Sequence, residues 1–171
     1  MAELTPKERL QPSLLDRLTD DEPDRPQESR DKRVLSMSRL RECVLRDLAW
    51  LFNATRMAND EEIERYPFAD HSVINFGLPS LSGATARSLD LAVLERSLRQ
   101  AILDFEPRIY RNSLRVLAAL TEERMSHNAL TFEVEGDLWA QPVPLRLYLK
   151  TEIDLESGQV KVEESSRTQE R

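Results

Sequence analysis

The sequence predicts an α+β fold in which two or three N-terminal helices pack on a small, mostly antiparallel C-terminal sheet. The first observation is that apolar residues recur at helical spacing in two stretches before residue 106. The second is that apolar and polar residues alternate after it, as in half-buried strands. Helices followed by strands are typical of α+β domains, and a chain of 171 residues has room for one. We place this domain at residues 34–163.

The first 33 residues are polar and contain several prolines, so they are expected to form a flexible segment. Their only apolar island follows Ser13, where three residues could form one face of a short docking helix: Leu14, Leu15 and Leu18. A helix of this length is not stable by itself in water. The island is therefore expected either to be disordered or to dock on the domain or on a partner. Residues 164–171 are expected to form a disordered tail.

The first long helix is expected to begin at a serine cap, Ser36 or Ser38, and to end near Asn53. Its apolar stripe consists of Leu40, Val44, Leu48, Leu51 and Phe52. Cys43 lies within this pattern, so it is interpreted as a small buried hydrophobe rather than a nucleophile.

The segment at 63–83, IERYPFADHSVINFGLPSLSG, connects the two long helices and is punctuated by proline and glycine. Five of its residues are expected to be able to bury: Tyr66, Phe68, Val73, Ile74 and Phe76. Its two glycines are six residues apart and no lysine follows in the position that a phosphate-binding loop requires. The segment is therefore interpreted as a compact connector.

The second long helix is expected to begin at Ser88 or Asp90. Its apolar stripe consists of Leu91, Leu94, Leu98, Ile102 and Phe105. Pro107 disfavours helical geometry at Glu106 and lacks a backbone donor. The helix is therefore expected to end near Phe105.

Strands are predicted where apolar residues alternate with polar ones. These positions are Leu114, Val116 and Ala118; Leu130, Phe132 and Val134; Val143, Leu145, Leu147 and Leu149; and Val160 with Val162. The sequence ESGQ at 156–159 is typical of a hairpin turn, whereas EGDLWAQP at 135–142 is expected to interrupt the region as a turn or bulge.

Charge and composition exclude several classes of protein. The net charge is −7 and arginines are interleaved with acidic residues, which argues against a nucleic-acid binder with a basic stripe. No apolar run approaches membrane-spanning length, and the N-terminus has no apolar signal region. A single cysteine is typical of a reducing compartment, so a cytoplasmic protein is expected.

Catalytic and cofactor chemistry has little support in the sequence. The two histidines, His71 and His127, are far apart and neither has a companion at metal-ligand spacing, so no metal or cofactor is expected. Glu95, Asp104 and Glu106 could supply the paired carboxylates of a glycosidase only because they are near one another in the chain.

The triplet Glu106-Pro107-Arg108 allows three interpretations: a catalytic site, a structural helix stop, and a docking point for a partner. The structural interpretation is that Pro107 ends the helix while Arg108 hydrogen-bonds the last carbonyls. Residue types alone leave the alternatives open.

Several segments together resemble one protein family. They are SLLDRLTDDEPD, LRECVLRDLAWLFNATR, SVINFGLPSLSG, AILDFEPRI, LTFEVEGDL and LRLYLKTEIDLESGQVKV. In this order they resemble the TssE family, the baseplate subunit of bacterial type VI secretion systems, which is similar to the lysozyme-like wedge protein of contractile-tailed phage baseplates. The resemblance extends from Pro12 to Val162.

The resemblance implies a structural, non-enzymatic protein that joins the baseplate wedge to the contractile sheath and helps to initiate sheath polymerisation. Its expected partners are other wedge subunits and sheath proteins, with no nucleic acid, membrane insertion or small-molecule substrate. It implies a cytoplasmic baseplate assembled at the inner face of the cytoplasmic membrane. The family's Glu-Pro-Arg motif matches Glu106, Pro107 and Arg108 and implies that they contact the sheath.

Two further expectations combine the residues with the partners that the resemblance implies. The leucine face of residues 14–18 could dock on other wedge subunits, and an open sheet edge could accept an added strand from the sheath. The alternatives to a baseplate protein are a peptidoglycan-cleaving, lysozyme-like enzyme and an unrelated soluble interaction module.

Overall fold

The computed structural model describes residues 13–19, 23–24, 36–57, 65–80, 90–119, 129–140 and 144–165. Its helices are α1 (Leu14–Leu18), α2 (Met37–Asn53), α3 (Pro67–Asp70) and α4 (Leu91–Phe105), with a 3-10 turn at Val73–Asn75. Its strands are β1 (Arg115–Ala118), β2 (Ala129–Leu138), β3 (Leu145–Asp154) and β4 (Val160–Glu164). The predicted α+β arrangement, with helices before an antiparallel sheet, is confirmed.

The two long helices lie where their caps and apolar stripes predict. Ser36 caps α2 by accepting from the backbone N–H of Arg39 at 3.1 Å, and Asp90 caps α4 by accepting from Ala92 and Val93. The α2 stripe is buried, as are Leu94, Leu98 and Ile102 of α4. These side chains pack on one face of the sheet and form its core.

The sheet has the order β1-β2-β3-β4, and every neighbouring pair is antiparallel. β2 continues through Leu138 and pairs with Leu145 there, so the turn or bulge expected at 135–142 is wrong for residues 135–138. Gly136 allows this continuation because the side chain of Ile109 takes the space beside it. The predicted hairpin turn follows Asp154, and β4 extends one residue past the predicted boundary at 163.

The face of the sheet that points away from the helices carries complementary charges in register. Glu133 lies opposite Lys150, Asp137 opposite Arg146, and Lys150 in turn opposite Glu163. Arg146 pairs with Glu135 as well. Opposite charges across neighbouring strands stabilise the pairing modestly, and they make this face a solvated one.

Helix side chains cover part of each edge of the sheet. Glu95 of α4 accepts the backbone N–H of Ala118 on β1 at 2.6 Å. Asn53 of α2 donates to the carbonyl of Val160 at 2.8 Å and accepts its N–H at 2.9 Å, so it occupies the position of a neighbouring strand. Such coverage reduces unwanted pairing at an open edge.

The connector does not bury its apolar residues as expected. Tyr66, Phe68, Val73 and Ile74 are exposed, Phe68 to 94 %, and Phe76 is only partly covered. The polar Asn75 is buried instead and donates from its amide to Asp70, while the exposed His71 has its Nδ1 2.8 Å from Asp104 Oδ2. A short helix and a 3-10 turn leave backbone groups to satisfy, and Asn75 satisfies one of them by donating to the Asp70 carbonyl.

The connector closely approaches the end of α2 at Gly77. Gly77 has a φ of 129°, and a Cβ there would lie 2.3 Å from the carbonyl oxygen of Ala54. The next residue, Leu78, makes a parallel bridge with Thr55. No helix in the described part of the chain has the length and apolar character needed to cross a membrane.

Candidate functional site

The end of α4 places the triplet between a helix and the sheet. Glu106 is the C-cap residue, and its backbone N–H donates to Ile102. Beyond Pro107 the chain joins β2: Trp139 donates to the Arg108 carbonyl at 2.7 Å, and Ile109 bridges to Leu138. The triplet is therefore a helix stop whose backbone is held by the core sheet.

Arg108 folds back onto two carboxylates. Its Nε lies 2.6 Å from Glu106 Oε1, and its Nη2 lies 2.5 Å from both Glu106 Oε2 and Asp47 Oδ2. Its backbone N–H also donates to Glu106 Oε1 at 3.2 Å. Only 3 % of the Glu106 side chain and 21 % of the Arg108 side chain are exposed. A bidentate guanidinium–carboxylate pair is the strong form of such a contact.

The network continues along α2 to α1. Arg46 donates to Asp47 Oδ1 from Nε and Nη2, at 2.9 and 2.8 Å, and from Nη1 to Asp16 Oδ1 at 2.6 Å. The Arg46 guanidinium also lies 5.1 Å from the ring centroid of Trp50, which is a cation–π distance. Five charged residues from three segments therefore form one chain of ion pairs.

The network shifts the titration of its members. Burial raises the pKa of the Asp16 carboxyl, but hydrogen bonds from Arg46, Ser13 and Cys43 outweigh it and lower that pKa to about 2. Burial lowers the pKa of Arg108, but Glu106 and Asp47 outweigh it, so the net pKa is raised. Both groups therefore remain charged at neutral pH, and the network is ionic.

A groove of about 530 Å³ lies beside this network, between α1, α2 and the end of α4. Apolar side chains form most of its surface, and Phe76 and Phe105 meet edge to face at 5.2 Å. Glu106, Pro107, Arg108 and Asp47 line its polar part. The arrangement combines an apolar surface with a few fixed polar groups, which is the character of a binding site.

The comparisons with known proteins identify the family. The model of the family described as baseplate wedge protein gp25 matches residues 38–143, which is more than half of the chain. The chain belongs to the baseplate wedge protein gp25 family. This is the family of TssE and of the phage protein, so the recognition made from the sequence is confirmed. Comparisons with curated proteins and with solved structures found no match.

As a member of this family, the wedge protein has a structural role in a baseplate. This role implies contact with other baseplate proteins. The matched segment contains α2, the connector, α4, β1 and β2. It therefore includes the triplet, its partner Asp47 and most of the groove.

The residues that the sequence nominated for partner binding divide into two groups in this wedge protein. Glu106, Pro107 and Arg108 line the groove together with Leu15 of α1. Leu14 and Leu18 do not line it and are exposed. Because Asp16 pairs with Arg46, α1 contacts α2 through a polar residue, and all three of its leucines are exposed, Leu15 the least.

The site residues that sequence reasoning did not nominate include Asp16, Arg46, Asp47, Trp50 and Phe76. Asp47 lies 61 positions from Arg108, and nothing in the pattern of α2 separates it from an ordinary solvated carboxylate. Trp50 offered the clearer signal, because a large aromatic residue next to the apolar stripe of a helix is a common interface residue.

The three carboxylates considered for glycoside cleavage have separate structural partners. Glu95 accepts from Ala118, Asp104 accepts from Gln100 and contacts His71, and Glu106 is held by Arg108. Among the described residues, no group of three or more histidine, cysteine or acidic side chains could hold a metal ion. Nothing in this part of the wedge protein favours catalysis over the structural role of its family.

Proposed function

We propose that this chain is a structural component of a type VI secretion baseplate, that it joins the baseplate wedge to the contractile sheath, and that it helps to initiate sheath polymerisation. The observation that carries the proposal is the family match over residues 38–143. The type VI assignment is supported by the resemblance to TssE. The protein then acts in the cytoplasm, in a baseplate at the inner face of the cytoplasmic membrane.

The outer edge of β4 supplies a mechanism for sheath initiation. Asn53 bonds the outward N–H and C=O of Val160, and strand periodicity points those of Val162 and Glu164 in the same direction. Within the described part of the chain, these outward groups have no hydrogen-bond partner. An extended arm of a sheath subunit adds here as a fifth strand, with backbone hydrogen bonds supplying affinity.

Two other surfaces complete the proposed contacts. The triplet and its groove bind a partner through apolar side chains and Arg108. Leu14 and Leu18 of α1 contact other wedge subunits, because a helix that turns two leucines to solvent has apolar area left to cover.

The proposal is tested by imaging a fluorescent sheath subunit in cells with and without the gene for this chain. We expect few or no sheaths in the deletion strain, and normal numbers once the wild-type chain is supplied again. Normal sheaths in the deletion strain would overturn the proposal and leave an uncharacterised role in a baseplate.

A further inference from the structure

The helix α1 is held on α2 by a charged side chain rather than by apolar ones. Among the α1 side chains that the structure describes, only that of Asp16 is largely covered, with 6 % exposed, whereas all three leucines are exposed. The Asp16 carboxylate accepts from Arg46 Nη1 at 2.6 Å and from the Ser13 hydroxyl at 2.6 Å. Because α1 buries little apolar area, its position on α2 depends on these polar contacts.

The contact covers a thiol that is not part of the core. Cys43 lies on α2 one turn before Arg46 and is 2 % exposed. The buried side chains that α2 packs against the sheet, such as Leu40 and Val44, form the core without it. The thiol of Cys43 hydrogen-bonds the Asp16 carboxylate instead. We therefore attribute the burial of Cys43 to α1.

Three features make this cover easy to displace. The helix α1 has five residues, too few to be stable alone. The Arg46 side chain is 31 % exposed, so salt can screen its ion pair with Asp16. Arg46 also has two hydrogen bonds to Asp47 and a contact with the Trp50 ring, so its charge keeps partners when Asp16 leaves. Displacement of α1 therefore leaves no buried charge unpaired on α2.

We propose that α1 is a salt-sensitive latch, which opens and closes on α2 while the rest of the domain stays folded. In the closed state Asp16 pairs with Arg46 and covers Cys43. In the open state the Cys43 thiol and Arg46 Nη1 are accessible, and the leucines of α1 move away from α2. Ionic strength shifts the balance because only the closed state contains the ion pair. This latch is a property of the chain alone and does not depend on the baseplate role.

The labelling rate of Cys43 tests the latch, because this residue is the only cysteine in the chain. The purified full chain is treated with an uncharged maleimide that carries a long polyethylene glycol chain, and the labelled fraction is followed by mass. Such a bulky reagent does not reach the covered thiol of the closed state. Burial and Asp16 raise the pKa of this thiol in the closed state, but the labelled species is the open one, from which Asp16 has withdrawn.

Two variants separate the ion pair from a general change of charge. Asp16→Asn removes the charge from the latch, and we expect it to label about fivefold or more faster than the wild type. Glu42→Gln is the matched control, because Glu42 lies beside Cys43 in α2 but is 63 % exposed. This control should label within about twofold of the wild-type rate. Equal rates for the wild type and Asp16→Asn would overturn the proposal.

Salt supplies a test on the wild type that needs no substitution. We expect about 1 M sodium chloride to raise the labelling rate of the wild type severalfold, and that of Asp16→Asn much less, because the variant has no ion pair to screen. If Asp16→Asn fails to fold by circular dichroism, the wild type decides alone. A wild-type rate that does not change with salt would then contradict the latch.

Low concentrations of urea distinguish opening of α1 from unfolding of the whole domain. Opening of a five-residue helix exposes little surface, so the labelling rate should stay nearly constant as urea rises below the unfolding transition. A rate that climbs steeply from the first addition of urea would show that Cys43 becomes accessible only through global unfolding. That result would also overturn the proposal.

Discussion

The carboxylate of Glu106 is the least exposed charged group in the site, and its ion pair with Arg108 offsets the free-energy cost of burying it. A buried charge without a partner has a large desolvation cost, and Arg108 meets it with two side-chain bonds and one backbone bond. The structural interpretation of the sequence was that Arg108 bonds the last carbonyls of the helix, whereas in the structure its guanidinium is mostly covered and bonds Glu106 and Asp47.

Substitution of Arg108 by alanine is therefore expected to lower the free energy of unfolding by about 1–3 kcal/mol, because Glu106 is left buried without its partner. Urea denaturation at neutral pH measures this loss. The matched control is Arg146→Ala, because Arg146 is half exposed on the charged face and its surface ion pair should contribute less to stability than the covered pair of Arg108. Similar losses for the two variants would contradict the structural role of Arg108.

The short helix α1 is held largely by charge. It has five residues, too few to be stable alone, and its Asp16 bonds both Ser13 and Arg46. The three leucines indicated only a possible helix, and the partner of α1 on α2 is a polar contact, that of Asp16 with Arg46.

The pKa of Asp16 predicts how α1 responds to acid. The folded pKa is lowered to about 2 from an ordinary value of 3.8, so this carboxylate contributes stability above pH 3.8 that is lost as the pH falls through 2. Urea denaturation of the wild type and of Asp16→Asn between pH 2 and 5 measures it. We expect the difference in the free energy of unfolding between the two proteins to shrink as the pH falls from 5 to 2. A constant difference would show that the Asp16 carboxylate is not the group that titrates.

The core of α4 behaves as its apolar stripe predicts. Leu98 is fully buried, so Leu98→Ala is expected to lower the free energy of unfolding by about 2–5 kcal/mol through lost apolar contact and a cavity. Val93 lies on the same helix but is 47 % exposed, so Val93→Ala should change the free energy of unfolding by less than about 1 kcal/mol. Chemical denaturation of both variants checks the contrast, and a small loss for Leu98→Ala would mean that α4 packs differently.

At the scale of the whole molecule, the β4 edge of the sheet is partly open among the described residues. The covered and open positions alternate along β4: Lys161 and Glu163 bond to β3, whereas Val162 and Glu164 point outward. Proline is tolerated where the missing N–H would have faced outward. Two neighbouring positions can therefore separate folding from strand addition.

We expect the Val162→Pro protein to fold, with a modest loss of stability because the half-buried valine side chain is removed. Cells producing it should form few sheaths, because proline has no N–H to donate to an added strand. Lys161→Pro should lower the melting temperature more, because it removes a bond between β4 and β3. Thermal denaturation checks folding, and sheath imaging checks assembly. Normal sheath numbers with a folded Val162→Pro protein would contradict strand addition at this edge.

Periodic patterns predicted most of the fold but not the connector. Burial of the α2 and α4 stripes and of Phe132, Val134, Leu147 and Leu149 followed the spacing of apolar residues, because each element packs against a single core. The predicted burial of the connector residues was wrong because these residues follow no period, and polar contacts of Asn75 and His71 hold the connector instead. The sequence did not predict that β2 continues past Glu135, because a glycine suits both a turn and a strand beside a bulky neighbour.

The sequence by itself determined the fold class, the bounds of the long helices, the helix stop at Pro107 and, through its motifs, the baseplate wedge family. Only the tertiary structure decided that Arg108 pairs with Asp47, that Trp50 and Phe76 share a groove with the triplet, and which part of β4 remains open. The reason is physical. Local spacing specifies which face of an element is apolar, whereas ion pairs and grooves depend on which distant faces the core brings together.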